Sequence, residues 1–174
     1  MASKLSFNFY QIGLGVVSIT CITLLTLSFL APLTETMMLS VSTSIYSILR
    51  SFCHQVPSHC LWYANSNFGV CSHCFGILVG AASASWFFSV VRQPSKYFDQ
   101  KVSHAVFLFI LSLLPLTADI LIDRHRHIMN PHFVRIFSGF IAGGSGIFFI
   151  CVSLFGFGKY LSNNLLKTSK GGIR

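Results

Sequence analysis

The chain has 174 residues, of which 53% are hydrophobic and 9% are charged, and its formal net charge is +8. An ordinary soluble domain has about 25% charged residues, and four acidic plus twelve basic side chains are too few to cover a domain of this size with polar surface. The composition therefore excludes a soluble globular protein, and its hydrophobicity equally excludes a disordered chain.

Four uncharged, apolar runs have the length of membrane-spanning helices, since about 20 apolar residues cross the roughly 30 Å hydrocarbon layer. They predict an all-α fold, a four-helix transmembrane bundle that forms one integral membrane domain over residues 1–174. The expected spans are about 12–31, 68–91, 104–122 and 136–158. Each is interpreted as a helix because lipid offers backbone amides no partners, and the alternation of a membrane β-barrel is missing. The first run could instead be a cleaved secretory signal, but its length favours a retained anchor.

Lysine and arginine residues orient the bundle because cytoplasmic loops are enriched in them. With both termini in the cytoplasm, the inner and larger set comprises Lys4, Arg92, Lys96, Lys101, Lys159, Lys167, Lys170 and Arg174. The outer set comprises Arg50, Arg124, Arg126 and Arg135. We therefore expect a multi-pass protein of the cell's inner membrane with cytoplasmic termini, whose basic tail lies near anionic lipid headgroups. The positive charge needs no nucleic-acid partner to explain it.

Residues 36–52 differ from the spans, because apolar residues recur there at three- and four-residue spacing with serine and threonine between them. The apolar positions are Met37, Met38, Val41, Ile45, Ile48, Leu49 and Phe52. This pattern predicts an additional amphipathic helix in the first outer loop. Such a helix lies along the membrane interface or folds back over the bundle.

Four of the six cysteines and three of the seven histidines fall in the segments CHQVPSHC (53–60) and CSHC (71–74). The predicted topology places them on the outer side, at the mouth of the second span. Cys71 and Cys74 form a C-x-x-C pair, which indicates either metal binding or thiol redox chemistry. In a first helical turn their thiols share one face, near free backbone amides that favour thiolates. Two static disulfides are the alternative in an oxidising compartment.

The loop between the third and fourth spans also faces outward in this topology. Asp119 follows an apolar stretch, where a lone carboxylate costs roughly 2.5 to 3.5 kcal/mol, so it should have a partner. Arg135 is the expected partner, and Asp123 lies one helical turn from Asp119. This buried ion pair either fixes the bundle or borders a site that includes the cysteines. The loop histidines, interpreted as solvated, are His125, His127 and His132.

Small residues recur at four-residue spacing on two predicted spans. One stripe of the second span comprises Gly76, Gly80 and Ala84, and one stripe of the fourth comprises Gly139 and Gly143. Such stripes let helices approach closely. Contact between them would bring the C-x-x-C turn and Arg135 to the same end of one helix pair and form a composite outer pocket. Contact across a dimer interface is the alternative.

Four motifs occur in order along the chain, namely Cys53-His54-Gln55-x-Pro57, Cys71-x-x-Cys74-x-Gly76, Pro115-x-x-x-Asp119 and Arg135-x-x-x-Gly139-x-x-x-Gly143. With them, about residues 50–145 resemble a family of small prokaryotic membrane proteins known as domain of unknown function 2085. The resemblance implies that these positions share a site, but it implies no reaction. This chain departs from the family pattern, in which arginine is usual at the positions of His59 and His73 and serine is common at that of Cys60.

The leading hypothesis is a multi-pass membrane protein with an outer-face metal site of structural, redox or metal-handling role. Its ligands would be Cys53, His54, Cys71 and Cys74, with Cys60, His59 and His73 in reserve. Three thiolates and an imidazole suit zinc, iron or cuprous copper, of which zinc or iron is expected. The family pattern keeps three of the four clustered cysteines, which favours a metal site over paired disulfides.

The alternative is a quinone-linked thiol-disulfide oxidoreductase, because a C-x-x-C at the outer mouth of four helices is arranged similarly to the membrane quinone-linked thiol oxidases. Cys71 or Cys74 would attack, Cys53 and Cys60 would relay, and Arg135 would favour the thiolate or a quinone oxygen. A third hypothesis is an accessory subunit of a larger membrane complex, with other membrane proteins or a second copy of the chain as partners. The sequence names no substrate.

Overall fold

The computed structural model describes the backbone of residues 2–35, 37–63, 65–90, 102–126 and 130–171, and the side chains of residues 10–35, 37–63, 65–90, 103–122 and 130–157. Its helices are α1 (Ala2–Glu35), α2 (Leu39–Arg50), α3 (Ser72–Val90), α4 (Val102–Arg126) and α5 (His132–Gly171). A 3₁₀ turn (Pro57–His59) and the strands β1 (Cys60–Tyr63) and β2 (Ser66–Cys71) lie between α2 and α3.

Four of these helices are long and apolar enough to cross a membrane, which confirms the predicted bundle of spans. The qualifying segments are Tyr10–Glu35, Ser72–Val90, Ser103–Ile122 and His132–Phe157. Large apolar side chains such as Ile19, Phe107 and Phe137 are exposed on them. Helices satisfy their own backbone amides, so a bundle with an apolar exterior suits lipid.

The helices α3 and α5 form the most extensive interface in the described part of the chain. A methyl group on Gly76 would overlap the carbonyl oxygen of Ile136, and one on Gly143 would overlap the carbonyl oxygen of Ile77. The two backbones are therefore in direct contact, which residues without a Cβ permit. The predicted contact between the two small-residue stripes is confirmed, and it sets the start of α3 beside the start of α5.

The interior of the bundle is apolar where α1, α3 and α5 meet. Cys21 and Cys151, the two cysteines outside the clustered segments, are buried there among residues such as Leu14, Ala81 and Ile147. Both thiols behave as small apolar side chains in this position. The helix α4 packs mainly against α5.

The amphipathic helix α2 folds back against α1 and β2. Ile45 and Leu49 are buried on its inner face, whereas Ile48 is exposed. The hydroxyl of Ser42, also on the inner face, donates a hydrogen bond to the carbonyl oxygen of Ala31 over 3.0 Å. The predicted helix is confirmed, and it packs against the bundle; its expected position along the membrane interface stays a prediction.

The second span begins at Ser72 rather than near residue 68, because residues 66–71 form a strand. This strand pairs antiparallel with β1, so that Cys60 lies opposite Cys71. The turn between the strands contains Asn65 in the left-handed conformation, with φ of 64°. A short apolar run cannot be assigned to strand or helix by its pattern alone. The expected helical start at 68–71 was therefore wrong, and the hairpin was not predicted.

Candidate metal centre

Three cysteines bring their sulfur atoms within 4.8 Å of one another at the hairpin end of the bundle. Cys53 follows α2, Cys71 ends β2, and Cys74 lies in the first turn of α3. Cys53 and Cys71 are buried, and Cys74 is partly buried. All six cysteines of the chain lie in the described ranges, and each has a free thiol. We call Cys53, Cys71 and Cys74 the three-sulfur cluster.

Hydrogen bonds inside the cluster favour a negative charge on Cys53. The pKa of its thiol lies well below the usual range because the thiols of Cys71 and Cys74, and the backbone N–H of Cys71, donate to its sulfur. The pKa of the Cys71 thiol is raised, chiefly because this thiol donates to Cys53. The geometry thus favours the thiolate form of Cys53 over that of Cys71, and a bound cation would replace the thiol protons of the cluster.

Cys60 is fully buried next to the cluster but does not belong to it. Its sulfur is not among the three that lie within 4.8 Å of one another. Burial, followed by the charges of Cys71 and Cys53, raises the pKa of the Cys60 thiol to about 12. Cys60 therefore stays protonated at neutral pH and packs in the apolar core between the hairpin and α2.

Gln55 holds the loop that carries Cys53. Its φ of 51° lies in the left-handed region, which residues other than glycine seldom adopt. Its side-chain amide donates to the carbonyl oxygen of Tyr46 over 3.0 Å and to that of Gly69 over 2.8 Å. These two bonds tie the loop to α2 and to β2, and so fix Cys53 against Cys71. The sequence assigned Gln55 to a motif but gave it no role.

The histidines near the cluster border a cleft of about 260 Å³. Leu116 and Ile120 of α4 form part of its wall. Its polar and sulfur-bearing lining comprises His54, His59, His73, Cys71 and Cys74. Within the described residues, no histidine nitrogen joins the group of ligand atoms that lie within 4.8 Å of one another. His54, which the sequence analysis placed among the ligands, is exposed.

Asp119 is buried and bonded to residues of two other segments. Nε2 of His73 donates to one carboxylate oxygen, and the side-chain amide of Asn130 donates to the other. Asp119 thus has the partners that a carboxylate near a span end requires. Arg135 is buried near the start of α5; its pairing with Asp119 stays a prediction, and the side chain of Asp123 lies outside the described residues.

Ser72 links the C-x-x-C turn to the start of α5. Its hydroxyl donates to the carbonyl oxygen of His59 over 3.0 Å, so it must accept the bond of 2.8 Å from Nδ1–H of His132. His132 is therefore a partly buried, bonded residue, and its interpretation as a solvated loop histidine was wrong. The side chains of His125 and His127 lie outside the described residues.

An apolar pocket of about 180 Å³ also touches the cluster, at Cys53 and Cys74. The remaining wall consists of aliphatic and aromatic side chains from α1, α2, the loop after it, β2 and α3. These residues are Leu24, Leu49, Phe52, Val70, Ile77 and Leu78. Cys74 thus borders both the histidine-lined cleft and this apolar pocket.

Comparison with known proteins points to an uncharacterised membrane family. Residues 53–150 match the model of the family described as "Predicted membrane protein (DUF2085)". An uncharacterized protein of Methanocaldococcus jannaschii is 28% identical over 112 residues, which cover 63% of this chain and 68% of that protein. No solved structure matches the chain. The family match begins at Cys53 and so contains the whole three-sulfur cluster.

Proposed function

We propose that this chain, which belongs to the DUF2085 family of predicted membrane proteins, binds a transition-metal ion through the thiolates of Cys53, Cys71 and Cys74. The observation that carries the proposal is the separation of at most 4.8 Å between the three sulfur atoms. Zinc–sulfur bonds of about 2.3 Å in a tetrahedral site place ligand sulfurs roughly 3.8 Å apart. A small inward movement of three side chains would therefore complete the site.

The type of donor supports a soft or borderline ion. Thiolates favour zinc, iron and cuprous copper over magnesium and calcium, and we expect zinc or iron. Several buried thiolates repel one another unless a cation neutralises them, which favours an ion over three charged sulfurs alone. Three protein ligands leave one coordination position for a further ligand. In this proposal the ion serves a structural, redox or metal-handling role.

The proposal also includes the side of the membrane on which the site lies. The excess of lysine and arginine in the segments assigned to the inside supports cytoplasmic termini. The hairpin end of the bundle would then face the outer side of the inner membrane, with the lipid bilayer around the four spans. A metal site in that position would exchange its ion or its ligand with the outer compartment.

The apolar pocket favours a second candidate, a thiol oxidoreductase linked to a membrane quinone. Cys53 and Cys74 border this pocket, whose other walls are apolar, as a quinone ring requires. In that reaction the two thiols would lose two electrons and two protons to become a disulfide, and the quinone would accept both to become a quinol. The two functions exclude each other at the same sulfurs, because sulfurs that are bound to a metal ion are not free to form a disulfide.

Anaerobic purification of the full-length chain, with metal analysis and thiol titration on one sample, separates the two candidates. We expect equimolar metal in the wild-type protein, lost in Cys71→Ser and retained in Cys21→Ser, whose cysteine lies in the bundle core. Metal-free protein whose thiols are oxidised by an added quinone would overturn the metal site and support the oxidoreductase. Metal-free protein with inert thiols would overturn both.

A further inference from the structure

The cleft beside the three-sulfur cluster is lined by an unusual set of polar side chains. Its nitrogen donors are imidazoles, and Cys71 and Cys74 supply two of the three sulfurs of the cluster. No lysine, arginine, aspartate or glutamate is among the described residues that line it. Neutral imidazole binds the same borderline and soft ions that thiolates bind. The cleft therefore offers such an ion a second kind of ligand.

A buried carboxylate fixes the ring of His73, one of these imidazoles. Its Nε2 donates to the carboxylate of Asp119, and that carboxylate is held on its other oxygen by Asn130. A neutral ring with its proton on Nε2 has its lone pair on Nδ1. A carboxylate partner of this kind fixes the ring and raises the basicity of the other nitrogen, as it does for most metal-binding histidines.

The histidines lie outside the cluster and differ in their exposure. Among the described residues, no histidine nitrogen lies within the 4.8 Å group, and His54, His59 and His73 do not form such a group of their own, so the cleft would hold an ion more weakly than the cluster. His54 is exposed, His59, His73 and Cys74 are partly buried, and Cys71 is buried. The exposed imidazole of His54 and the buried sulfur of Cys71 line the same cleft, which suits an ion that exchanges water for imidazole first and for thiolate afterwards.

We propose that the histidine cleft, defined by His54, His59 and His73, is a second and weaker metal site that delivers a soft or borderline transition-metal ion to the three-sulfur cluster. This inference rests on the proposed function, because delivery requires a thiolate acceptor. Transfer is an exchange of ligands at constant oxidation state. Imidazole nitrogens leave the ion as sulfurs bind it, and the thiol protons pass to water.

Loading of the anaerobic, metal-free, full-length protein with Co²⁺ tests the inference, since thiolate-bound cobalt gives a sulfur-to-metal charge-transfer band. In the double variant His54→Gln/His59→Gln we expect the loading rate to fall about tenfold or more, because the ion is no longer concentrated next to the thiols. The equilibrium affinity and the band should stay close to the wild-type values. His104→Gln is the matched control, since His104 is exposed and does not line the cleft.

Two further variants address His73. His73→Gln should also load slowly with an unchanged final band, and Asp119→Asn, which keeps the ring but weakens its orientation, should load at an intermediate rate.

A wild-type loading rate in the double variant would overturn the inference and leave the thiolate site intact. A changed band with lower affinity would also overturn it, because a histidine would then be a ligand of the cluster itself. A wild-type protein without the band would instead overturn the proposed thiolate site.

Discussion

The backbone N–H of Cys71 donates to the sulfur of Cys53 over 3.2 Å, across a separation of 18 residues. This contact requires the loop after α2 to be held against β2. Gln55 provides that link through its bond of 2.8 Å to the carbonyl oxygen of Gly69. The geometry of the three-sulfur cluster therefore depends on a residue that does not itself offer a metal ligand.

Gln55→Glu tests this dependence, because glutamate keeps the length of the side chain and replaces its N–H donors with acceptors. The new carboxylate would face the carbonyl oxygens of Tyr46 and Gly69, so the loop should shift. We expect the Co²⁺ affinity to fall about 10- to 100-fold, the usual effect of losing an outer partner of a metal ligand. His54→Gln, the neighbouring substitution, should keep the affinity. Wild-type affinity in Gln55→Glu would contradict the positioning role.

Cys60→Ala tests which sulfurs hold the ion. Cys60 is opposite Cys71 in the hairpin but outside the 4.8 Å group, so we expect its variant to bind equimolar metal. The lost packing should cost on the order of 1 kcal/mol in the free energy of unfolding. Cys74→Ala, a matched change within the cluster, should lose the metal. Loss of metal in both variants would show that Cys60 is a ligand.

Much of the fold could be predicted because the relevant signals are local and strong. The absence of charge over about 20 residues marks a span, and the spacing of Gly76 and Gly143 with their neighbours marks a close helix contact. The hairpin could not be predicted in the same way. Residues 68–71 are apolar whether they form a strand or a helix, and only pairing with β1 decides between them.

Part of the candidate site could be predicted from the sequence for a related reason. The motifs and the resemblance to the family put Cys53, Cys71 and Cys74 before Cys60, which was kept in reserve, but only the structure shows which sulfurs lie within 4.8 Å of one another. The bond between His73 and Asp119 was not predicted, because the sequence analysis considered only Arg135 and Asp123 around Asp119, and the pairing of Asp119 with Arg135 stays a prediction. Side-chain partners across helices follow from helix rotation, which a single sequence does not specify.

The glycine contact between α3 and α5 predicts different effects for two adjacent substitutions. A Cβ at position 143 would overlap the backbone of Ile77, whereas one at position 144 would have its nearest atom, the carbonyl oxygen of Gly80, at 3.8 Å. We expect Gly143→Ala to lower the free energy of unfolding by about 1 to 3 kcal/mol, as overpacking does. Gly144→Ala should be neutral or stabilising, because alanine favours helix. Thermal unfolding in detergent, followed by circular dichroism, measures both; equal effects would contradict the close backbone contact.

The pair of His73 and Asp119 joins α3 to α4, which otherwise packs mainly against α5. A double-mutant cycle with His73→Gln and Asp119→Asn should give a coupling free energy of roughly 1.5 to 3 kcal/mol, the range for hydrogen bonds to charged groups. The readout is the unfolding midpoint of each single variant and of the double variant. Strictly additive effects would show that the bond contributes nothing to the attachment of α4.

Removal of the metal should destabilise the hairpin end of the bundle, because the ion would join two segments that are distant in sequence, the loop after α2 and the junction of β2 with α3. Cys53, Cys71 and Cys74 anchor the loop after α2, the end of β2 and the start of α3. A ligand that binds only the folded state stabilises it by about 4 kcal/mol at a thousand times its dissociation constant. We therefore expect a strong chelator to lower the unfolding midpoint of the wild-type protein, and added zinc to restore it.

Cys71→Ser should unfold at the same temperature with and without chelator, whereas Cys151→Ser should respond as the wild-type protein does. If neither chelator nor zinc changes the unfolding midpoint of the wild-type protein, the three sulfurs stay together through packing and hydrogen bonds alone.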